Sequence, residues 1–310
     1  MTTGYEERPG CVAIQGVGVG CVTDAVKGTG VTVIYLPEGS VGAVDISGGA
    51  PATRETALLD PMNLVLGPDA IVLCGGSAMG LEAADGAARA LREDNRGVSV
   101  GRIRVPIVVA AAIFDMDYRQ NEAPAIEDGY LALKMSKTAR QDVPEGSQGA
   151  GTGATVGKVM GPEKAMKGGQ GAVTLVTPDG LRVGAVVVVN AVGSVIDEQG
   201  TVLAGPCGAD DRPLDTTVLW SLAPIPLAPG SATTVGAVIT NARLSKAELA
   251  RVARMGHDGL ARAIDPVHTP WDGDTLFAIS VGDLAQDAGR VGAIAARAVA
   301  VAIRRAIRAV

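Results

Sequence analysis

Thr233 and Thr234 open a strand-like run, TTVGAVIT at 233–240, where a hydroxyl group could act as a nucleophile. The segment before it, LAPIPLAPGSA at 222–232, is dense in Pro and predicts an extended, exposed connector. A hydroxyl at the end of a rigid strand could attack the adjacent carbonyl of Ala232, and water would then release the resulting ester. The freed α-amine, with a reference pKa of about 8, could serve as base for the same hydroxyl. Composition alone favours the simpler interpretation that both residues are ordinary strand threonines.

Two glycine-rich segments resemble nucleotide-binding loops but are incomplete. In GTGATVGK at 151–158, Thr152 stands where the first glycine of a phosphate loop belongs. Val159 stands where that loop would place a magnesium-binding Ser or Thr. The run GVGVG at 16–20 lacks the third glycine of a dinucleotide-binding fingerprint. We therefore expect no nucleotide cofactor.

Histidine and cysteine are sparse. His257 and His268 are too few for a typical zinc site, and we predict surface or capping positions for both. The four cysteines are widely spaced without a C-x-x-C pair, which predicts small core residues and neither a disulfide framework nor a metal site. A G-x-S-x-G elbow is absent, although Ser/His/Asp catalysis is not excluded by that alone. We expect no metal.

The elements that must position any site alternate between strand and helix, which predicts a layered α/β or α+β architecture. Strands are predicted at 31–36, 41–46, 70–74, 105–114, 172–176, 183–190, 233–240 and 275–280, and helices at 78–92, from 246 to about 265, and at the C-terminus. Ser245 and Glu248 form a capping box that begins the second helix. Leu249, Val252 and Met255 then recur at helical spacing.

Composition limits the class of protein. Apolar residues make up 47% of the 310 residues, while aromatic residues make up 3%, so the core must consist mainly of Val, Ala, Ile and Leu. The net charge of −6 argues against a nucleic-acid partner. The last helix is interrupted by arginines, which predicts an amphipathic helix with its arginines exposed and not a membrane span. These are Arg297, Arg304, Arg305 and Arg308.

The chain is expected to form one domain, 1–310, in the cytoplasm. The connector at 222–232 is a poor domain boundary, because the residues after it hold too few elements to fold alone. Residues 1–10 are polar and show no signal peptide.

Longer blocks carry a more specific resemblance, over nearly the whole chain. They are GAVDISGGAPATRETALLDP at 42–61, CGGSAMGLEAADG at 74–86, GAGTGATVGK at 149–158, and 233–278, which begins TTVGAVITNARLSKAELA and ends VHTPWDGDTLFA. The chain resembles the DmpA-type N-terminal-nucleophile hydrolases. These include L-aminopeptidase/D-esterases, β-peptidyl aminopeptidases and 6-aminohexanoate-oligomer (nylon-oligomer) hydrolases. The resemblance implies an α+β fold, an αββα sandwich of two sheets between helical layers.

It also implies a precursor that cuts itself before a Ser or Thr. That position is Thr233, so cleavage between Ala232 and Thr233 would give a large subunit, 1–232, and a small subunit, 233–310. We expect the processed pairs to form a homo-oligomer that acts on small amide substrates.

The resemblance assigns roles to four further residues. Lys158 matches a lysine near the nucleophile, whose cation would lower the pKa of the amine or polarise the substrate. Asn190, which closes the run VVVVN, matches an oxyanion-binding asparagine. Asp272 and Asp274 in DGD match an acidic pair that would orient the amine and hydroxyl of Thr233. The structural alternatives are a surface lysine, a turn-forming asparagine and a solvated Asp-Gly turn.

Two positions depart from the family pattern. Ala232 stands where members usually have Asn or Gly before the nucleophile, which questions the efficiency of self-cleavage. Phe114 in AAIFDMD replaces a tyrosine that some members use. We place Phe114 and Tyr130 in the substrate pocket, and Tyr118 is the other candidate to supply the missing hydroxyl.

The combination of a threonine with two aspartates leans toward hydrolysis of 6-aminohexanoate oligomers, since aminopeptidase members are expected to carry Ser and Glu at the acidic pair. An aminopeptidase for short peptides, amides or esters is the closest rival, and it needs a pocket for a free substrate amine. Acyl transfer to an amine, as in ornithine acetyltransferases, is a second rival. A scaffold that is never processed is the third.

Overall fold

The structure is a computed structural model that describes residues 4–138, 141–224 and 230–310. The strands are β1 Glu6–Pro9, β2 Gly18–Asp24, β3 Thr29–Tyr35, β4 Val41–Ile46, β5 Thr53–Arg54, β6 Ala70–Cys74, β7 Val98–Val100, β8 Ile103–Val105, β9 Val108–Ala112, β10 Thr155–Val156, β11 Met166–Lys167, β12 Gly169–Val176, β13 Arg182–Asn190, β14 Ser194–Ile196, β15 Val202–Ala204, β16 Thr233–Arg243, β17 Ile264–Asp265 and β18 Thr275–Ala285. The α-helices are α1 Ser77–Gly80, α2 Ala83–Glu93, α3 Ile126–Ser136, α4 Thr216–Leu222, α5 Lys246–Ala261 and α6 Ala288–Arg308. Short 3-10 helices span Thr56–Leu59, Gly149–Gly151, Lys158–Met160 and Pro162–Lys164.

Two sheets form the centre of the fold. The larger has the order β1-β12-β13-β16-β18-β4, and the smaller has the order β2-β3-β6-β9-β5. Because side chains alternate across a strand, each sheet contributes to two cores. In β13, Val186 and Val188 pack toward the smaller sheet, whereas Val187 and Val189 pack toward α5 and α6.

The smaller sheet buries its other face against α2 and α3, with Val31 and Val33 of β3 among its contacts. Its inner face packs Ile34, Ile71 and Leu73 against the larger sheet. The layers therefore follow the order helix, sheet, sheet, helix, which confirms the αββα sandwich.

Several element boundaries agree with the sequence pattern. Strands β4 and β6 have the predicted bounds, and Ser245 caps α5 in a capping box with Glu248. The helix predicted at 78–92 is divided into α1 and α2, and α3 and α4 were not predicted at all. The prediction of core cysteines holds for Cys74, while the other three are half-buried; all four are free thiols.

One prediction for α6 is wrong. Arg304 is buried, and its guanidinium donates to the carbonyl oxygens of Ile196 and Arg262 and to the Glu198 carboxylate. These acceptors replace water, which is the condition for burying a charge. In the described ranges, no helix combines the length and apolarity needed to cross a membrane.

Candidate active site

The strand pairing brings three sequence segments to one edge of the larger sheet. Strands β13 and β16 run antiparallel, so Asn190 at the end of β13 lies opposite Thr233 at the start of β16. Strands β16 and β18 run parallel, so both begin at this edge, and Ala232 pairs with Asp272 just before β18. Residues far apart in the chain therefore surround Thr233.

The hydroxyl of Thr233 lies directly against the peptide group that precedes it. Thr233 Oγ1 is 2.5 Å from the carbonyl oxygen of Ala232. The same carbonyl oxygen accepts a hydrogen bond of 3.0 Å from the backbone N–H of Gly273. Negative charge that develops on this oxygen during attack would thus meet a donor already in place.

The peptide between Ala232 and Thr233 is buried, so the prediction of an exposed connector is wrong at its end, although Leu222 at its start is 77% exposed. Thr233 is 2% exposed, and Ala232 is fully buried in a small apolar cluster with Val159 and Val192. At the other end of the connector, Leu222 closes α4, and residues 225–229, which include Pro226 and Pro229, lie outside the described residues. Apolar packing around Ala232 therefore holds this peptide bond against the Thr233 hydroxyl.

Lys158 connects Asn190, which lies opposite Thr233, with Ser231 in the connector. Its Nζ donates to Asn190 Oδ1 at 2.8 Å and to the carbonyl oxygen of Ser231 at 2.6 Å. Burial lowers the pKa of the Lys158 ammonium to about 7, although Asp272 and Asp115 oppose this shift. The amine can therefore gain or lose a proton near neutral pH.

The side-chain amide nitrogen of Asn190 already donates a hydrogen bond within the protein. Asn190 Nδ2 donates to the carbonyl oxygen of Phe114 at 2.9 Å, while Oδ1 also accepts from the backbone N–H of Thr155 at 3.0 Å. The carbonyl oxygen of Ala232 accepts its hydrogen bond from the backbone N–H of Gly273 instead. An oxyanion role for Asn190 stays a prediction, and it depends on the second hydrogen of its amide group.

Asp272 and Asp274 are buried, each 1% exposed, so the alternative of a solvated Asp-Gly turn is wrong. Asp272 Oδ2 accepts from the backbone N–H and the hydroxyl of Thr269, and Oδ1 accepts from the backbone N–H of Val192. Burial, reinforced by the nearby Asp274, raises the pKa of Asp272 to about 6. Asp274 Oδ1 accepts from the backbone N–H of Thr234 at 2.7 Å. Asp274 thus fixes the backbone directly after Thr233, while Asp272 fixes the neighbouring segments at Thr269 and Val192.

A cavity of about 600 Å³ opens beside Lys158 and Ser231. Its charged lining consists of Asp115, Asp117, Glu163, Lys158 and Lys167, and its aromatic lining of Phe114 and Tyr118. Thr233, Asp272 and Asp274 do not line it in the uncut chain. Ser231, two residues before Thr233, lines the cavity, while Thr233 itself is 2% exposed.

The structure separates the two residues assigned to the substrate pocket. Phe114 lines the cavity, but Tyr130 does not: it lies on α3, and its hydroxyl donates to Glu93 on α2 at 2.7 Å. The assignment of Tyr130 to the pocket is corrected by this contact. Tyr118 is the tyrosine that lines the cavity.

The sequence analysis did not identify Asp115, which lines the cavity, as a candidate site residue. Its carboxylate accepts from the Thr29 hydroxyl at 2.8 Å and the Gly76 backbone N–H at 2.7 Å, and burial raises its pKa. Its position shortly after the buried strand β9 was the available signal, because polar side chains at strand ends often face sites.

The prediction of surface or capping histidines is also wrong. His257 is buried within α5, and its ring meets the ring of His268 edge-to-face at 4.7 Å. His268 Nδ1 lies 2.7 Å from Oδ2 of Asp274, whose other oxygen binds the backbone N–H of Thr234. The positions of both histidines depend on apolar packing and on a buried carboxylate. The spacing of the two residues in the sequence reveals neither of these contacts.

Comparison with known proteins agrees with this arrangement. The profile of Peptidase family S58 matches residues 12–310. An uncharacterized aminopeptidase of Mycobacterium leprae (strain TN) is 46% identical over 265 residues, 82% of this chain and 71% of that protein. A 6-aminohexanoate-oligomer endohydrolase of Paenarthrobacter ureafaciens is 35% identical over 280 residues, 87% of this chain and 74% of that protein.

Solved structures share the fold. A Burkholderia sp. beta-aminopeptidase superposes with a TM-score of 0.69 at 21% identity, covering 100% of this chain and 89% of that chain. The L-aminopeptidase D-Ala-esterase/amidase of Ochrobactrum anthropi, described as a variant of the Ntn hydrolase fold, has a TM-score of 0.64 at 17% identity, covering 96% and 85%. The chain therefore belongs to Peptidase family S58 and is a hydrolase of amide or peptide bonds.

Proposed function

We propose that this protein is a self-processing amide hydrolase whose nucleophile is the hydroxyl of Thr233 after cleavage from Ala232. One observation carries the proposal. Thr233 Oγ1 lies against the preceding carbonyl group, and the backbone N–H of Gly273 donates to that same carbonyl oxygen. A hydroxyl, its target and an oxyanion donor are thus assembled within one chain.

The proposed cleavage is an N→O shift followed by hydrolysis. Thr233 Oγ1 bonds to the carbonyl carbon of Ala232, and the bond from that carbon to the Thr233 nitrogen breaks. The hydroxyl proton passes to the departing nitrogen, and Lys158, with a pKa near 7, can carry it. Water then adds to the ester, giving a carboxylate on Ala232 and restoring the Thr233 hydroxyl beside a free amine.

The same groups would serve the external substrate. The α-amine of Thr233, with a reference pKa of about 8, accepts the hydroxyl proton and then donates it to the leaving amine. Asp274 holds the backbone after the nucleophile, and Asp272 holds the segments beside it at Thr269 and Val192. Asn190 adds an oxyanion donor through the second hydrogen of its amide group. The mature enzyme would consist of 1–232 and 233–310, associated in a homo-oligomer.

Intact mass measurement of the purified protein tests the processing step. We expect two chains after denaturation, with a new N-terminus at Thr233, because the hydroxyl already touches the peptide to be cut. A single full-length chain that nevertheless hydrolyses amides at full rate would contradict the proposal. A cut at any other peptide would move the nucleophile away from Thr233.

For the substrate, we propose linear ω-amino-acid oligomers such as those of 6-aminohexanoate. The cavity carries Asp117 and Glu163, and neither carboxylate has a salt bridge within the described residues. Unpaired carboxylates in a partly enclosed cavity favour a protonated substrate amine. Asp272 and Asp274 do not line this cavity, and their carboxylates accept from backbone amides. Phe114 and Val159 provide apolar surface for methylene spacers.

We expect processed enzyme at neutral pH to cleave 6-aminohexanoate oligomers faster than α-amino-acid p-nitroanilides. N-acetylated oligomers, which lack the ammonium group, should be poorer substrates than the free amines. The double variant Asp117→Asn, Glu163→Gln keeps the shape of the cavity and should lose most of that difference, through a higher KM. An equal rate for acetylated and free oligomers in the wild type would refute the electrostatic part of the proposal.

An aminopeptidase is the second candidate, and the 46% identity to the mycobacterial protein named as an aminopeptidase favours it. The same cavity acids could bind an α-amine. A clear preference for the p-nitroanilides would select this alternative, and Thr233 would keep its role.

A further inference from the structure

The strongest feature behind the nucleophile is a chain of contacts from α5 to the start of β16. Asp274 bridges two elements: Oδ1 accepts from the Thr234 backbone N–H at 2.7 Å, and Oδ2 accepts from His268 Nδ1 at 2.7 Å and its backbone N–H at 3.1 Å. A carboxylate is rigid and planar, so a donor on one oxygen constrains the other. The orientation of the Thr233–Thr234 peptide is therefore coupled to the His268 ring.

His268 itself is held from two sides. Its backbone has a φ of 56°, in the left-handed region that residues other than glycine seldom occupy. Its ring meets the ring of His257 at 4.7 Å, and His257 Nε2 lies 3.1 Å from the carbonyl oxygen of Asp45. An uncommon backbone conformation that persists beside a reactive group is a reason to look for a role.

The buried nitrogens indicate which tautomer is present. His268 Nε2 and His257 Nδ1 are buried without a hydrogen-bond partner in the described part of the chain. With the His268 proton on Nε2, that N–H would have no acceptor and the Nδ1 lone pair would face the Asp274 carboxylate, so no hydrogen bond could form at either nitrogen. The proton of His268 therefore belongs on Nδ1, where Asp274 Oδ2 accepts it.

We propose that His268 is a positioning residue for the nucleophile, which acts by donating its Nδ1–H to Asp274 and so fixing the peptide next to Thr233. It does not touch the reacting atoms. The inference rests on the proposed role of Thr233, and it adds a residue outside the catalytic set that the sequence pattern indicated. Its effect should fall on the rate of chemistry rather than on substrate binding.

The test compares His268→Ala with His268→Asn. Asparagine tolerates the left-handed conformation, and its Nδ2 hangs from Cγ as Nδ1 does, so it can donate to Asp274. In His268→Ala we expect processing and kcat to fall by about 100-fold, the cost of a misplaced reacting group, with KM nearly unchanged. His268→Asn should recover most of both rates.

Two results would overturn the inference. One is wild-type processing and kcat in His268→Ala. The other is an asparagine variant as slow as the alanine variant while thermal melting shows both equally folded. Thr233→Ala, assayed in parallel, tests the proposed function separately, because continued activity of this variant would defeat the nucleophile assignment and with it the role of His268 in processing and turnover. The contact itself is tested by imidazole nitrogen NMR of the uncut Thr233→Ala protein, in which we expect the His268 proton on Nδ1 and a changed Nδ1 signal when Asp274→Asn is added. A proton on Nε2 would also overturn the inference, whatever the nucleophile is.

Discussion

Thr233→Ala should remain one uncut chain and lose amide hydrolysis by roughly 10⁴-fold or more, the scale expected when a covalent nucleophile is removed. In the proposed mechanism, a single hydroxyl performs both the self-cleavage and the later acyl transfer, so one substitution stops both. The fold should survive, because the methyl group of alanine fits a site that already encloses the larger threonine and the strand pairing of β16 is made by backbone groups. Intact mass and turnover, measured on the same sample, check the two losses together.

The neighbouring residue provides a matched control. Thr234 is equally buried, but within the described residues its hydroxyl has no hydrogen-bond partner. Thr234→Val removes this hydroxyl while it keeps the branched shape, so we expect normal processing and turnover. Thr233→Ser keeps the nucleophilic oxygen and should still be cut. Loss of function in Thr234→Val equal to that in Thr233→Ala would show that the damage is structural.

Local patterns in the sequence were sufficient for the elements that border the site. The valine-rich run before Asn190 and the capping box at Ser245 depend on neighbours in sequence, and both were predicted. The helix α3 was not predicted; it packs closely against α2, where a side-chain carbon on Gly129 would lie 1.8 Å from the carbonyl oxygen of Ala83. Tertiary packing decided that element, not propensity.

The partners within the site could not be read from local patterns. The sheet order, with β18 parallel to β16 and beside it, is what carries Gly273 and the two aspartates to Thr233. The contact between His268 and Asp274 depends on the buried face of α5 as well. The resemblance indicated Lys158, Asn190, Asp272 and Asp274. Their hydrogen-bond partners are set by the tertiary fold and could not be inferred from it.

The glycines of the SGGA segment at 47–50 pack closely against the loop before β18. A side-chain carbon on Gly48 would lie 2.2 Å from the backbone nitrogen of Asp274, and one on Gly49 would lie 2.7 Å from the carbonyl oxygen of Pro270. The block therefore packs its backbone directly against the loop that holds the aspartates. These two glycines therefore allow two backbone segments to approach each other closely at the site, which glycine content alone does not indicate.

Gly273→Ala should block self-processing almost as completely as loss of the nucleophile. A methyl carbon at this position would lie 2.8 Å from Thr233 Oγ1 and 2.7 Å from the carbonyl oxygen of Ala50, closer than such carbons are found in proteins. Relief of the clash must move either the hydroxyl or the residue that donates to the Ala232 oxygen. Loss of one oxyanion donor alone costs about 10²- to 10³-fold, and displacement of the hydroxyl adds to it.

Gly184→Ala is the control for this change, because it adds the same methyl group to β13 of the same sheet. There the nearest atoms are side chains, Thr174 Oγ1 and Val12 Cγ1, each at 3.3 Å, and they are far along the strand from Asn190. We expect Gly184→Ala to process normally and Gly273→Ala to accumulate as full-length chain with a near-native melting temperature, both followed by intact mass over time. Rapid cleavage of a folded Gly273→Ala protein would mean that the N–H of Gly273 does not stabilise the oxyanion and that the hydroxyl attacks from another direction.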